Sequence, residues 1–162
     1  MKKSSIIYII LGLLAVVAIL YFIFSLFYKQ PAFNPNLNVN PSTLSGMQTG
    51  NYPWPPNTNS LKTRLSQIGL PALLQEGYTL HTHQHLDIYI NGKPVAVPTD
   101  IGVGPNESYI SPIHTHDDTG IIHVESPVVQ KFYLGKFFDI WGVKLTQNCI
   151  GGYCADKDNA LK

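Results

Sequence analysis

The stretch Leu80-His81-Thr82-His83-Gln84-His85-Leu86-Asp87-Ile88-Tyr89-Ile90-Asn91-Gly92 decides the fold. Its period is two. Successive side chains of a strand point to opposite faces, so Leu80, Thr82, Gln84, Leu86, Ile88 and Ile90 share one face. His81, His83, His85, Asp87 and Tyr89 share the other. Asn91-Gly92 is a strong hairpin signal, because a type I′ turn needs positive φ at both central positions. A turn there pairs Ile90 with Lys93, Ile88 with Val95 and Leu86 with Val97. The apolar residues of both strands then fall together, and the histidines fall opposite them.

A second hairpin follows at Ile113-His114-Thr115-His116, through Asp117-Asp118-Thr119-Gly120, into Ile121-Ile122-His123-Val124-Glu125. A turn centred on Asp118-Thr119 sets His114 opposite His123. Ile113, Thr115, Ile122 and Val124 then form a core face. His114, His116, His123 and Glu125 form the other. Two short helices are expected around these strands. Ser60 to Gln67 places Leu61, Leu65 and Ile68 on one side, with Gly69 at the C-terminal stop. Leu134 to Trp141 places Leu134, Phe137, Phe138 and Trp141 at helical spacing. Val143 to Thr146 reads as a further strand. The apolar alternation at the end, near Leu161-Lys162, predicts a fold that continues past this point.

Near the N-terminus, Ile6 to Tyr28 contains no charged residue. At about 1.5 Å per residue this run is roughly 34 Å of helix, and the hydrocarbon layer of a bilayer is roughly 30 Å. The bulky end Phe24-Ser25-Leu26-Phe27-Tyr28 does not suit a signal cleavage site. Lys2 and Lys3 precede the run and Lys29 follows it. The expectation is a single transmembrane anchor, residues 1–29, lying in the lipid bilayer through residues 6–28. Its N-terminus is expected in the cytoplasm and the rest of the chain outside. Residues 30–59 carry Pro31, Pro35, Pro41, Pro53, Pro55 and Pro56 among Asn, Ser and Thr. They read as a semi-extended spacer, although Tyr52 to Pro56 can also pack on its own domain. Residues 60–162 form the folded domain. The fold class expected is therefore mainly β, with hairpins in a small sheet or sandwich and one or two short helices, after one N-terminal transmembrane helix.

Charge excludes some classes. Eleven basic and ten acidic residues leave a net charge of +1, so nothing points to nucleic acid. Cys149 and Cys154 are the two cysteines, and a structural disulfide is the expected pairing. No serine sits in a nucleophile-elbow context, and Gly102 and Gly104 form no phosphate-binding loop. Asn106-Glu107-Ser108 matches the N-glycosylation pattern.

All six histidines lie in two clusters, His81, His83, His85 and His114, His116, His123. Side chains at i and i+2 of a strand are about 6.6–6.8 Å apart at Cα, a span that two imidazoles can close around one ion. A directly opposed strand supplies a third ligand. Three neutral imidazoles leave a position open, as in catalytic zinc sites, and imidazole also suits copper. Asp87, Asp117 and Glu125 are placed to ligate or to orient a ring. A lone histidine is more often surface or satisfied core, and an exposed His-x-His-x-His strip can bind metal adventitiously. Clustering is what raises a metal site above that.

Leu80 to Pro98, Ile110 to Pro127 and Leu134-Gly-Lys-Phe-Phe-Asp-Ile-Trp-Gly142 together resemble a family of uncharacterised prokaryotic proteins, membrane-anchored or secreted and His-rich. The resemblance covers roughly residues 61–162. It implies a further strand and hairpin, and it carries no activity. His114-x-His116 with His123 also looks like the zinc ligand set of the α-carbonic anhydrases. The domain is too small for that fold, so the likeness is one of ligand geometry. Three functions follow: a tethered copper- or zinc-binding module for binding or delivery; a three-histidine zinc enzyme for hydration or hydrolysis, with Glu125 or Asp117 as base; or a structural accessory subunit of a membrane complex. No catalytic residue is assigned under the first.

Overall fold

The structure is a computed structural model that describes residues 3–27, 34 and 37–162, with side chains in the first helix described at 8 and 10–24. The chain divides into two units, Met1–Pro31 and Ala32–Lys162.

The first unit contains helix α1, Lys3–Phe27. The expected membrane anchor is corrected here. Among the described residues, no helix is long and apolar enough to cross a membrane. The single-pass localisation loses its basis with it. Met1, Lys2, Tyr28, Lys29, Pro31 and Pro35 lie outside the described residues.

The expected class, mainly β after a transmembrane helix, is corrected: the chain has three α-helices beside small sheets, and no described helix spans a membrane. Helices α2 (Leu61–Gln67) and α3 (Leu134–Trp141) pack among small sheets whose strands hold two to six residues. The largest sheet has three antiparallel strands in the order β1 (Leu80–His85), β5 (Ile121–Ser126), β4 (Ile113–His114). Strands β2 (Ile88–Ile90) and β3 (Lys93–Val95) form a separate hairpin around Asn91-Gly92, pairing Ile88 with Val95 and Ile90 with Lys93. Both turn residues take positive φ, 52° and 74°. Strands β6 (Cys149–Ile150) and β7 (Tyr153–Cys154) form a third, closed by the Cys149–Cys154 disulfide. Val143 to Thr146 forms no strand. Val143 and Leu145 make only isolated bridges, to Gln48 and Ile150.

Helix α3 occupies the residues that its apolar spacing predicts, and Phe137, Phe138, Ile140 and Trp141 are buried. Gly142 ends it at φ 81°, the left-handed turn that glycine adopts without a Cβ penalty. The last-turn carbonyls are capped from α2. Arg64, 1 % exposed, donates from Nε to the Asp139 carbonyl at 3.1 Å and from Nη2 to the Ile140 carbonyl at 2.9 Å. It also donates to the carbonyls of Asn57 and Ser45, at 2.8 and 3.2 Å. One buried cation thus ties α2, α3 and the loop before α2 together.

The proline-rich stretch read as a spacer contributes to this core. Leu44 and Trp54 are buried in it. Trp54 meets Trp141 edge to face at 6.0 Å, and Trp141 Nε1 donates to the Trp54 carbonyl at 2.9 Å. Burial of one large apolar side chain stabilises by about 1.5–3 kcal/mol, enough to hold a segment that is otherwise polar.

Candidate metal centre

The three-stranded sheet has two unlike faces. Thr82, Gln84, Ile113, Ile122 and Val124 face a cavity of about 490 Å³ that Phe132, Leu134 and Phe137 line from the other side. The opposite face carries the histidines. Strand β5 lies in the middle, so His123 stands opposite His83 on one side and His114 on the other. His81 stands opposite Glu125. The hairpin count predicts the His114–His123 register. The β1–β5 pairing is what joins the two histidine strips into one face.

His114 is the anchor of the group and is fully buried. Its Nδ1 lies 2.9 Å from the Ser111 carbonyl. A carbonyl only accepts, so Nδ1 carries the proton and Nε2 presents its lone pair inward. Burial, against the Ser111 hydrogen bond and with help from His116 and His123, lowers the ring's pKa to about 4. The ring is therefore neutral at pH 7, the form that binds a metal. Gly102, at φ 78°, makes this packing possible. A Cβ there would lie 2.5 Å from the Ile113 carbonyl and 3.1 Å from the His114 Cβ.

His116 Nε2 lies 3.0 Å from His114 Nε2. The His123 ring stacks on His114 with centroids 5.4 Å apart and meets His116 at 4.6 Å. One ring nitrogen from each of His114, His116 and His123 falls within a 4.8 Å group that could hold a metal ion. Two ligands at about 2.0–2.1 Å from one ion are about 2.9 Å apart at a right angle and about 3.4 Å apart at the tetrahedral angle. The 3.0 Å spacing lies in that range.

A second group is His81, His83 and Glu125. His81 Nε2 is 3.3 Å from His83 Nε2 and 3.4 Å from Glu125 Oε1. His83 Nε2 is 3.1 Å from His123 Nδ1, which is also 3.1 Å from Glu125 Oε1. The third group is Glu76, His114 and Glu125. Glu76 Oε1 is 3.2 Å from His116 Nε2 and 4.0 Å from His114 Nε2.

Ring nitrogens and carboxylate oxygens converge here: around His114 Nε2 stand His116 Nε2, Glu76 Oε1 and Glu125 Oε2. Glu125 is 3 % exposed, and its Oε2 has no hydrogen-bond partner although it lies 3.9 Å from His114 Nε2. A buried carboxylate oxygen facing the lone pair of a neutral imidazole is an arrangement that a cation satisfies.

Five of the six histidines therefore come together. His85 does not join them. Its Nε2 lies 3.0 Å from the Thr119 carbonyl, and its Nδ1 lies 3.7 Å from the exposed Asp87. Asp87 is thus beside His85 and, among the described residues, belongs to none of the ligand groups. Asp117 is a turn residue, accepting from the Thr119 amide at 3.0 Å and from the Thr119 hydroxyl. Those hydrogen bonds hold its carboxyl below the usual range. Glu125 sits at the centre of the groups. Glu76, on the loop before β1, was not a candidate from the sequence, because a single glutamate in a loop has no period to betray it.

No family model, no curated protein and no solved structure matches the chain.

Proposed function

We propose that the chain is a transition-metal-binding module, for copper or zinc, whose primary ligands are His114, His116 and His123. One observation carries it: a fully buried, neutral imidazole with its lone pair fixed inward, sharing one small group with two further histidine nitrogens. Imidazole suits both metals, and exchange or delivery needs only that the ion be held and released. Half-exposed His116 is the open side through which an ion enters and leaves.

The test is elemental mass spectrometry on the untagged chain after loading and desalting, for wild type and for His114→Ala with His116→Ala. Near-stoichiometric metal in wild type, lost in the double variant, supports the site. A wild type that retains none sinks it.

One feature favours a second reading, a zinc centre that hydrates or hydrolyses a small substrate. A cavity of about 350 Å³ adjoins His116 and Glu76, lined also by Tyr78, Asp100, Glu107 and Tyr109. A metal-bound water there would have room for a substrate beside it, with Glu76 as the adjacent base. Turnover of a small ester or of carbon dioxide by the zinc-loaded chain, absent in Glu76→Gln, distinguishes this from a binding module.

A further inference from the structure

The geometry points to a second metal ion, held by His81 Nε2, His83 Nε2 and Oε1 of Glu125, whose carboxylate bridges it to the ion at His114, His116 and His123. This rests on the mononuclear site proposed above and extends it to a dinuclear centre.

Three observations carry it. First, the two oxygens of Glu125 serve different sides. Oε1 is 3.4 Å from His81 Nε2, while Oε2 is 3.9 Å from His114 Nε2. Glu125 accordingly belongs to two of the three candidate ligand groups, one beyond the central triad on each flank. A carboxylate that bridges through both oxygens sets its ions about 3.5–4 Å apart, the usual spacing of two-metal sites.

Second, His123 also lies between the sides. Its Nδ1 faces His83 Nε2 at 3.1 Å, while its ring packs against His114 and His116. One ion cannot take five imidazoles and a carboxylate at about 2.0–2.1 Å in a tetrahedral shell. The donors left over on the β1 side form a group that could hold an ion of its own.

Third, Glu125 Oε2 is buried and unpartnered. A carboxylate that only oriented the His123 ring through Oε1 would leave that buried atom unsatisfied. A bridging role uses both oxygens. The outer ligands His81 and His83 are exposed, and the inner His114 is buried, so the outer ion exchanges with solvent more readily than the inner one.

The experiment loads the full untagged chain with Cu(II), desalts it, and measures copper content together with the integrated electron paramagnetic resonance signal. Two coppers per chain with a spin count well below two, because the ions couple, is the expected result. His81→Ala with His83→Ala, at exposed positions, is expected to hold one copper that integrates to one full spin. Glu125→Gln, which preserves volume, is expected to fall below two coppers or to lose the coupling. One copper in wild type, lost in His114→Ala with His116→Ala, overturns the second ion while leaving the mononuclear site standing. Two uncoupled coppers, both retained in Glu125→Gln, overturn the bridge and mark the outer strip as adventitious. No copper overturns both proposals.

Discussion

Replacing Glu125 by Gln changes one atom type at the centre of the site and is expected to have opposite effects on metal binding and on stability. In the metal-free chain Glu125 Oε2 is buried without a partner, 3.9 Å from a His114 Nε2 whose lone pair faces it. The Ser111 carbonyl fixes that tautomer at the other ring nitrogen. A glutamine amide placed where Oε2 lies donates to His114 Nε2 after a shift of under about 1 Å, since N–H···N bonds close near 3 Å. Its oxygen keeps the place of Oε1, 3.1 Å from His123 Nδ1. Removing one unsatisfied buried acceptor is worth about 1–3 kcal/mol. For a unit of this size each kcal/mol moves Tm by roughly 3–5 °C, so Glu125→Gln raises the metal-free Tm by roughly 3–15 °C. The assay is thermal and urea denaturation in chelator, then with added metal. With metal the order reverses, because wild type gains linkage stabilisation that the variant loses in part. A metal-free Glu125→Gln that is less stable than wild type by 1 kcal/mol or more would refute the reasoning. Such a result would mean that the carboxylate is well satisfied without an ion. This is the usual tension between a functional site and the stability of the fold around it.

Other consequences concern the scaffold. Arg64→Ala removes a buried cation that serves four carbonyls, two of them at the end of α3; a loss of about 3–5 kcal/mol in urea denaturation is expected, and a loss below about 1 kcal/mol contradicts the capping role. Asp139, 7 % exposed, has its carboxyl pushed up from 3.8 to about 6 by burial, against the pull of Lys136 and Arg64. Between those values the folded chain holds a proton that the unfolded chain lacks, so this group's contribution declines as pH rises through that window and stays reduced above it, by up to about 3 kcal/mol. Asp139→Asn is expected to flatten the pH dependence of the urea midpoint between pH 4 and 7, and an unchanged slope would tell against it. Cys149→Ser with Cys154→Ser opens a short loop and is expected to cost about 2 kcal/mol while leaving metal content unchanged, since neither cysteine belongs to a ligand group. Loss of metal in that variant would place the disulfide hairpin in the site.

The sequence made some of this legible for local reasons. Asn91-Gly92 and the Asp117 to Gly120 turn fix their hairpin registers within a few residues, so the Ile88–Val95 and His114–His123 pairs could be counted out. Helix α3 shows in the spacing of Leu134, Phe137, Phe138 and Trp141. The pairing of β1 with β5 has no such signal. It joins residues some 40 positions apart, and only the sheet reveals that His83 stands across from His123. The same long reach hides Glu76 and the Arg64 caps. His85 shares the period of His81 and His83, yet it sits at the last residue of β1 and turns to the Thr119 carbonyl. The proline-rich stretch misleads by composition, since a few large residues such as Leu44 and Trp54 decide its packing while the many small polar ones dominate its average. The expected membrane anchor failed at the helix itself, because no described helix is long and apolar enough to cross a membrane.

An ion bound among His114, His116 and His123 is visible by anomalous diffraction at the zinc edge, from crystals of the chain loaded with one equivalent of zinc. An anomalous peak is expected at about 2.0–2.1 Å from one ring nitrogen of each of these three histidines, His114 through Nε2. Zinc found only at His85 or at surface carboxylates, with His114 Nε2 making no bond to it, would overturn the proposed site.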